Sequence, residues 1–232
     1  VEVPDSDGTP HPATVRRFHD GYEAQALGVE VGVTERPWAE RFAVRVYTSN
    51  LSKDIQSNLT MSIPYGSMSF DVHTSGAMVY YSHRFLKNRL ILRSRTGYSR
   101  ERNNFEDLGE WVYDWFGQKT APRMQPGEQT AGGSDRTTWQ NSLFERLYAG
   151  LEVYKGSKQS HDIQLSIAPS YTSTKGIERQ TSPHEVDLLA IPNTMTSLVT
   201  GLAYRLTLFD RVENILFGKS YLFWATTQEF VD

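Results

Sequence analysis

The sequence predicts an all-β protein. Eight or nine segments alternate apolar and polar residues with a period of two, the pattern of half-buried strands. Hydrophobic residues make up 38% and aromatic residues 12% of the 232 positions, which is sufficient to build a folded core. Cysteine is absent, so disulfides, thiolate metal sites and cysteine nucleophiles are excluded. Many strands with one helix and two long loops are typical of a sandwich, a jelly roll or a barrel.

The first 20 residues are predicted to form an extended N-terminal arm without a core of its own. Three prolines, Pro4, Pro10 and Pro12, lie there among small polar residues. A frayed terminus is the alternative interpretation of the same composition. Residues 21–232 are predicted to form a single domain, since the length is normal for one large sandwich or barrel. A chain that begins at Val1 is expected to have been processed, by signal removal or by cleavage of a polyprotein.

In the first half of the chain, alternation predicts strands at Leu27–Val33, Phe42–Tyr47, Leu59–Ile63, Met78–Leu86 and Leu90–Tyr98. Pro64 would end the third of these, because proline has no N–H to donate. The fourth is aromatic on both faces, which is typical of a strand that is buried on both sides. A turn is expected at Lys87 and Asn88.

One short inserted helix is predicted between Asn103 and Gln118. Its apolar residues recur at helical spacing: Leu108, Trp111, Val112, Trp115 and Phe116. Proline and glycine mark residues 120–138 as a long surface loop, and residues 174–192 are irregular. The remaining predicted strands are Leu143–Val153, Ile163–Ala168, Leu198–Leu208 and Tyr221–Phe230.

No catalytic, cofactor or metal motif is recognised, so the sequence predicts a protein that is not an enzyme. Six histidines lack the spacing of a helical zinc site. Ser160, His161 and Asp162 are adjacent, and adjacent residues of a strand point to opposite faces, so they cannot form a triad among themselves. Glu110 and Asp114 are interpreted as solvated residues on the polar face of the predicted helix. A formal charge of −3 lacks the basic excess of a dedicated nucleic-acid-binding protein.

The candidate site is a basic patch. The densest positive cluster comprises Arg93, Arg95, Arg100 and Arg102, with Tyr98 and Phe105 interleaved. Such a patch is suited to contact phosphates or a neighbouring subunit. Alternatively, it is a solvated strand face on which Glu101 and Asp107 neutralise the arginines.

Several segments together resemble a known family. Glu35-Arg36-Pro37-Trp38 leads into a strand, a His83-Arg84-Phe85 step lies within an aromatic stretch, and Ala168-Pro169-Ser170-Tyr171-Thr172-Ser173 follows a late strand. With the ending Gln228-Glu229-Phe230, these segments resemble the jelly-roll coat proteins of picornavirus-like, positive-strand RNA viruses. The resemblance touches about half of the chain, and the predicted helix lies at an unexpected place.

This resemblance implies an antiparallel eight-stranded jelly-roll sandwich with one short inserted helix and an extended N-terminal arm. It further implies a structural subunit of an icosahedral capsid. Its partners would be other capsid subunits, in a homo- and hetero-oligomeric shell, and its inner face would make weak contact with RNA. The protein would be found in the virion, assembled in the host cytoplasm, and would not contact a membrane.

Two other functions fit the same strand pattern. One is a bacterial outer-membrane β-barrel, a porin-like channel whose lumen arginines such as Arg45, Arg93 and Arg205 would line. The chain does not end on an aromatic residue, and Met78–Phe85 is apolar on both faces, which count against this barrel. The other is a soluble carbohydrate-binding or phage-structural β-sandwich. The candidate binding residues of that sandwich are Trp111, Trp115 and Trp139.

Overall fold

The computed structural model describes residues 1–4, 7–180, 187–209 and 211–227. This part of the chain contains strands β1 (Glu2–Pro4), β2 (Pro10–Pro12), β3 (Tyr22–Arg36), β4 (Ala39–Asp54), β5 (Ser69–Phe85), β6 (Leu90–Asp107), β7 (Trp111–Tyr113), β8 (Lys119–Pro122), β9 (Ser134–Lys155), β10 (Gln159–Glu178), β11 (Asn193–Leu208) and β12 (Val212–Thr227). A single turn of 3-10 helix covers Leu188–Ala190. The predicted all-β class is therefore confirmed.

Eight long strands form one antiparallel sheet in the order β12-β11-β10-β9-β6-β5-β4-β3. Strands that are neighbours in the sheet follow one another in the chain, except that the small β7–β8 hairpin lies between β6 and β9. Strands β1 and β2 pair with each other in the first twelve residues. At the two edges of the large sheet, β3 and β12 each have a single strand neighbour in the described part of the chain.

The eight-stranded jelly-roll sandwich is not confirmed. A sandwich packs two sheets face to face, and a jelly roll links their strands by crossing connections. Among the residues that the structure describes, the eight long strands lie in one sheet and each is linked to its neighbour. The large sheet is thus a meander.

The predicted helix at residues 103–118 is wrong. Strand β6 continues through Asp107, and a hairpin of β7 and β8 follows. The Asp114 carboxylate accepts hydrogen bonds from the backbone N–H groups of Phe116 (2.9 Å) and Gln118 (2.8 Å), which fixes a turn where the helix would continue. Gly117 completes this turn with a φ of +82°, outside the helical range.

The predicted strand at residues 59–63 is also wrong, because this segment belongs to the loop between β4 and β5. The Asn58 carboxamide oxygen accepts a hydrogen bond from the Ser62 N–H (2.9 Å), and Met61 adopts a φ of 51°. Both features curl the segment, and the only pairing of this loop in the described structure is a bridge between Ser57 and Pro64.

The two ends of the large sheet differ in their connections. At one end, which we call the short-turn end, the connections are residues 37–38, 86–89, 156–158 and 209–211. At the other end, the long-loop end, they are residues 55–68, 108–133 and 179–192. The turn that was predicted at Lys87 and Asn88 is confirmed, and both residues have a positive φ.

Little of the sheet is covered. The accessible surface is 16150 Å², whereas a compact protein of this mass exposes roughly 10600 Å². The buried apolar residues among those described are Ala39, Ala43, Tyr65, Met68 and Trp115. The last three belong to the long loops at residues 55–68 and 108–133, so the larger part of the small core sits at the long-loop end and most of both sheet faces remains open.

Two buried carboxylates hold the long loops together. Asp107, which is fully buried, accepts hydrogen bonds from the N–H groups of Gln129 (2.9 Å) and Thr130 (2.8 Å). Glu128 accepts hydrogen bonds from the N–H groups of Gly66 and Ser67, both at 2.8 Å. The loop after β6 is thereby fastened both to the sheet and to the loop after β4.

Candidate functional site

Strand register divides the side chains of the large sheet between two faces. Residues that pair directly across neighbouring strands point to the same side, and the side alternates along each strand. One row on the first face runs through Val33, Phe42, Tyr81, Ser94, Leu147, Ile167, Thr200 and Ser220. One row on the second face runs through Arg41, Ser82, Arg93, Tyr148, Ser166, Gly201 and Lys219. We call these the apolar face and the charged face.

The apolar face carries an apolar band toward the short-turn end. Its members include Leu27, Val29, Val31 and Val33 on β3, Phe42, Val44 and Val46 on β4, Leu143, Leu147 and Leu151 on β9, Ile163, Leu165, Ile167 and Tyr171 on β10, and Leu198, Leu202 and Tyr204 on β11. At roughly 3.3 Å per residue, the band extends about 20–27 Å along a strand. Many of its residues are open to the surroundings, such as Val31 (71% exposed) and Leu202 (57%).

A carboxylate and its hydrogen-bond partners lie within the apolar band. The Glu145 carboxylate accepts hydrogen bonds from the hydroxyls of Ser94 (2.7 Å) and Thr96 on the neighbouring strand. The three side chains lie on the apolar face and satisfy one another, which lowers the cost of placing them among apolar residues.

Toward the long-loop end, the same face becomes polar and forms a collar. Its residues include Gln25, Asn50, His73, Arg100, Arg102, Asn104 and Asn141. The side chains of His73 and Asn50 are hydrogen-bonded to each other. The apolar band thus ends at a sharp polar boundary partway along the strands.

The charged face carries cations that stack on aromatic rings. The guanidinium of Arg95 lies 5.3 Å from the ring centre of Tyr80 and 5.6 Å from that of Phe144. Arg93 lies 5.8 Å from the Tyr148 ring. Arg146 lies 6.0 Å from the Phe144 ring. These contacts hold long side chains flat along the sheet.

Three of these arginines have no carboxylate beside them, and we call them the arginine triad: Arg93, Arg95 and Arg146. Arg95 and Arg146 stand directly opposite each other on β6 and β9. No aspartate or glutamate lies next to the triad on this face. This holds for the direct and diagonal neighbours on adjoining strands and for residues two positions away on the same strand. Carboxylates on this face pair elsewhere: Glu30 lies 2.8 Å from Arg41 and Glu213 lies 2.9 Å from Arg205.

The structure divides the predicted basic patch. Arg93 and Arg95 lie on the charged face, whereas Arg100 and Arg102 lie on the polar collar of the apolar face. The four arginines therefore do not form one surface. Glu101, which was considered as a partner, instead contacts Thr74 and Asn103.

The strand at residues 78–86 was predicted to be buried on both sides, and this is wrong. Its residues Val79 and Phe85 are each 37% exposed. On the charged face, the Tyr80 ring lies beneath two cations, Arg41 at 5.7 Å and Arg95 at 5.3 Å. Aromatic residues on that face of the strand serve as platforms for arginine.

The other sequence candidates are separated. His161 lies on the apolar face, where its Nδ1 is 2.5 Å from the Tyr204 hydroxyl, and Asp162 lies on the opposite face. Trp115 is buried under the long loops, and Trp111 lies below Lys119, whose Nζ is 5.1 Å from the ring centre. In the described residues, no group of three or more histidine, aspartate or glutamate side chains is arranged to hold a metal ion.

Three ionisable groups at the long-loop end have shifted pKa values. Burial acts to raise the pKa of Glu178, but hydrogen bonds from the Ser134 hydroxyl (2.5 Å) and the Asp135 N–H (2.7 Å) outweigh it, so the pKa is lowered. A hydrogen bond from Arg17 lowers the pKa of Asp20. Burial raises the pKa of Tyr65. None of these groups belongs to the arginine triad.

Comparisons with known protein families, with curated proteins and with solved structures found no match to this chain. Among the described residues, no helix is long and apolar enough to cross a membrane.

Proposed function

We propose that this chain forms the wall of a channel in a bacterial outer membrane, a β-barrel wall with its apolar band toward lipid and its charged face toward an aqueous lumen. One observation carries the proposal: a single-layer antiparallel sheet has an apolar band on one face and arginines on the other. Membrane barrels have an outer apolar band about 25 Å tall and a polar interior. At a strand tilt of roughly 30°, the lengths of about 20 Å on β3 and 27 Å on β10 correspond to heights of about 17 and 23 Å, the latter close to that of a membrane barrel.

The exposure of the apolar band supports a lipid environment. In water, each 100 Å² of apolar surface left uncovered forfeits about 2.5 kcal/mol of the stabilisation that burial provides. Val29, Val31 and Leu202 are each more than half exposed on the bare sheet. Lipid chains would cover these residues without a second layer of protein.

The connections support the same orientation. Outer-membrane barrels have short turns on the periplasmic side and longer loops outside the cell. Short turns lie next to the apolar band here, and long loops lie beyond the polar collar. The collar would then stand in the polar region outside the hydrocarbon layer.

The stagger of the strands gives a tilt. Val33 and Thr200 lie in one row across the sheet, yet β3 ends three residues past Val33, at Arg36, and β11 ends eight residues past Thr200, at Leu208. Over the six steps from β3 to β11 this corresponds to a tilt of roughly 30°, taking about 3.3 Å per residue and 4.8 Å between strands. Barrel strands tilt by about 35–45°.

A membrane wall also requires its edges to be paired, because an unpaired N–H or C=O group in hydrocarbon costs several kcal/mol. The outer edges of β3 and β12 are open in the described structure. These two strands run antiparallel to each other. A meander with an even number of strands can therefore close into an antiparallel barrel by pairing its first and last strands. Closure would pair them with each other or with further strands.

The capsid subunit stays a prediction. It would need a second layer, from this chain or from a neighbouring subunit, to cover the apolar face. The sandwich-type binding module would need the same cover.

Purification with and without detergent tests the proposal. We expect the protein to fractionate with membranes, to need detergent for extraction, and to migrate faster on electrophoresis before heating than after it. Closed barrels that resist the electrophoresis detergent until heated behave in this way. Recovery of a folded, detergent-free particle with the mass of a shell would contradict the proposal and support the capsid instead.

A further inference from the structure

We infer that the arginine triad, Arg93, Arg95 and Arg146, is a binding site for small oxyanions such as phosphate and carboxylates. The inference rests on the proposed function, since it names the class of solute that the lumen would favour. Its evidence is the local arrangement of charge, which is independent of what covers the apolar face.

Like charges stand opposite each other at the centre of this site. Side chains directly opposite on antiparallel strands have Cβ atoms about 4.5–5.5 Å apart, and like charges at such positions are destabilising. Arg95 and Arg146 are paired in this way on β6 and β9, with no carboxylate among their cross-strand neighbours. An anion between the two guanidinium groups would relieve the repulsion.

The aromatic rings keep the cations in place. The Phe144 ring is a neighbour of both arginines, 5.6 Å from the Arg95 guanidinium and 6.0 Å from that of Arg146. The Phe144 ring occupies the space above Gly97, where a Cβ atom would come within 2.5 Å of it. Gly97 is therefore a positioning residue for the ring, and the ring is a platform for both arginines.

The chemistry of guanidinium selects the ligand. Its planar fork of N–H donors matches the oxygens of carboxylate and phosphate, and several forks can bind one anion together. All three side chains of the triad are exposed on the charged face, so a dissolved anion can reach them. Lys219 lies in the same row as Arg93 and extends the positive surface toward β12.

Ion selectivity in planar lipid bilayers tests the inference. In a potassium chloride gradient, we expect the wild-type channel to prefer chloride, and inorganic phosphate to reduce the chloride current. Since a charged cleft concentrates counter-ions by about tenfold or more, the anion-to-cation permeability ratio should fall about tenfold in the double variant R95Q/R146Q. The matched control is R100Q/R102Q, which removes the same amount of charge from the opposite face, with both residues on β6.

The outcomes separate the two proposals. Insertion with an unchanged ratio in R95Q/R146Q, or with an equal fall in the control, would overturn the anion site and leave the channel standing. If the protein forms no channel, the proposed function fails, and calorimetric titration of the detergent-solubilised protein with phosphate then decides. Binding that R95Q/R146Q abolishes and the control retains supports the site, whereas no binding by the wild-type protein overturns it.

Discussion

Ile167→Arg places a charge at the centre of the apolar band. On β10 the band runs from Ile163 to Tyr171, about 27 Å along the strand, and Ile167 is its midpoint. In the proposed membrane barrel, an arginine there would begin about 13 Å along the strand from either end of the band, too far for its guanidinium to reach water. The cost of arginine at the midplane on the lipid side of a barrel is about 2–4 kcal/mol.

The neighbouring residue provides the control. Ser166 lies on the charged face, is exposed, and pairs with Tyr148 and Gly201. Ser166→Arg adds the same side chain one residue away, where it would stand in water with Arg146 as a like-charged diagonal neighbour, so we expect a loss below about 1 kcal/mol. The two variants should therefore differ by about 1–4 kcal/mol, which is about 5- to 800-fold in the unfolding equilibrium constant.

The assay is reversible denaturant unfolding in lipid vesicles, followed by tryptophan fluorescence, with the free energy of unfolding extrapolated to zero denaturant. The variants share strand, depth and charge, and they differ in the face that carries the arginine. Equal losses in Ile167→Arg and Ser166→Arg, or a larger loss in Ser166→Arg, would refute the assignment of the apolar band to lipid.

The remaining predictions concern packing, the long loops and pH. Gly97→Ala should destabilise the sheet by about 1–3 kcal/mol, because the new methyl group would clash with the Phe144 ring. As a control, the methyl group of Gly218→Ala has no atom within 4 Å, so this variant should change the free energy of unfolding by less than about 0.5 kcal/mol. Asp107→Ala leaves the N–H groups of Glu128, Gln129 and Thr130 without their acceptor, and that of Glu128 is buried, so we expect a cost of about 1–3 kcal/mol. Limited proteolysis should show faster cleavage within residues 108–133; unchanged cleavage would show that other contacts hold that loop. The pKa of Glu178 is lowered on folding, so its contribution to stability is fully present above the ordinary value of 4.5 and is lost as the pH falls through the lowered pKa. Glu178→Gln should therefore reduce the dependence of the free energy of unfolding on pH in that acid range. An unchanged pH profile would refute this role of Glu178.

The positions of the eight long strands were predictable from the sequence, because alternation is a local signal that strand pairing preserves, whereas the same signal at residues 59–63 predicted a strand that is absent. Ile163, Leu165 and Ile167 alternate cleanly, and they lie together on the apolar face. The helix prediction was wrong because apolar spacing does not account for the hydrogen bonds that the Asp114 carboxylate accepts from the backbone. Those hydrogen bonds fix a turn in place of the helix. Sheet order could not be derived, since it depends on pairing between distant segments.

Part of the candidate site could be predicted from the sequence. Arg95 and Arg100 are five residues apart, an odd separation that places them on opposite faces of one regular strand, so the division of the basic patch could have been inferred. Arg146 was missed because it lies far along the chain from Arg95 and only register brings them together. Phe144, Arg146 and Tyr148 alternate along one face of β9, and this basic-aromatic pattern was the available signal.

In the proposed barrel, the meander determines how the wall could change in size. Each hairpin of the large sheet closes over a local stretch of chain, so its formation requires little loop-closure entropy. Duplication or loss of one complete hairpin would alter the girth by two strands, roughly 10 Å of arc. Every remaining pair of strands would keep its register, so the circumference of the proposed barrel could change by whole hairpins without any change in the order of the other strands.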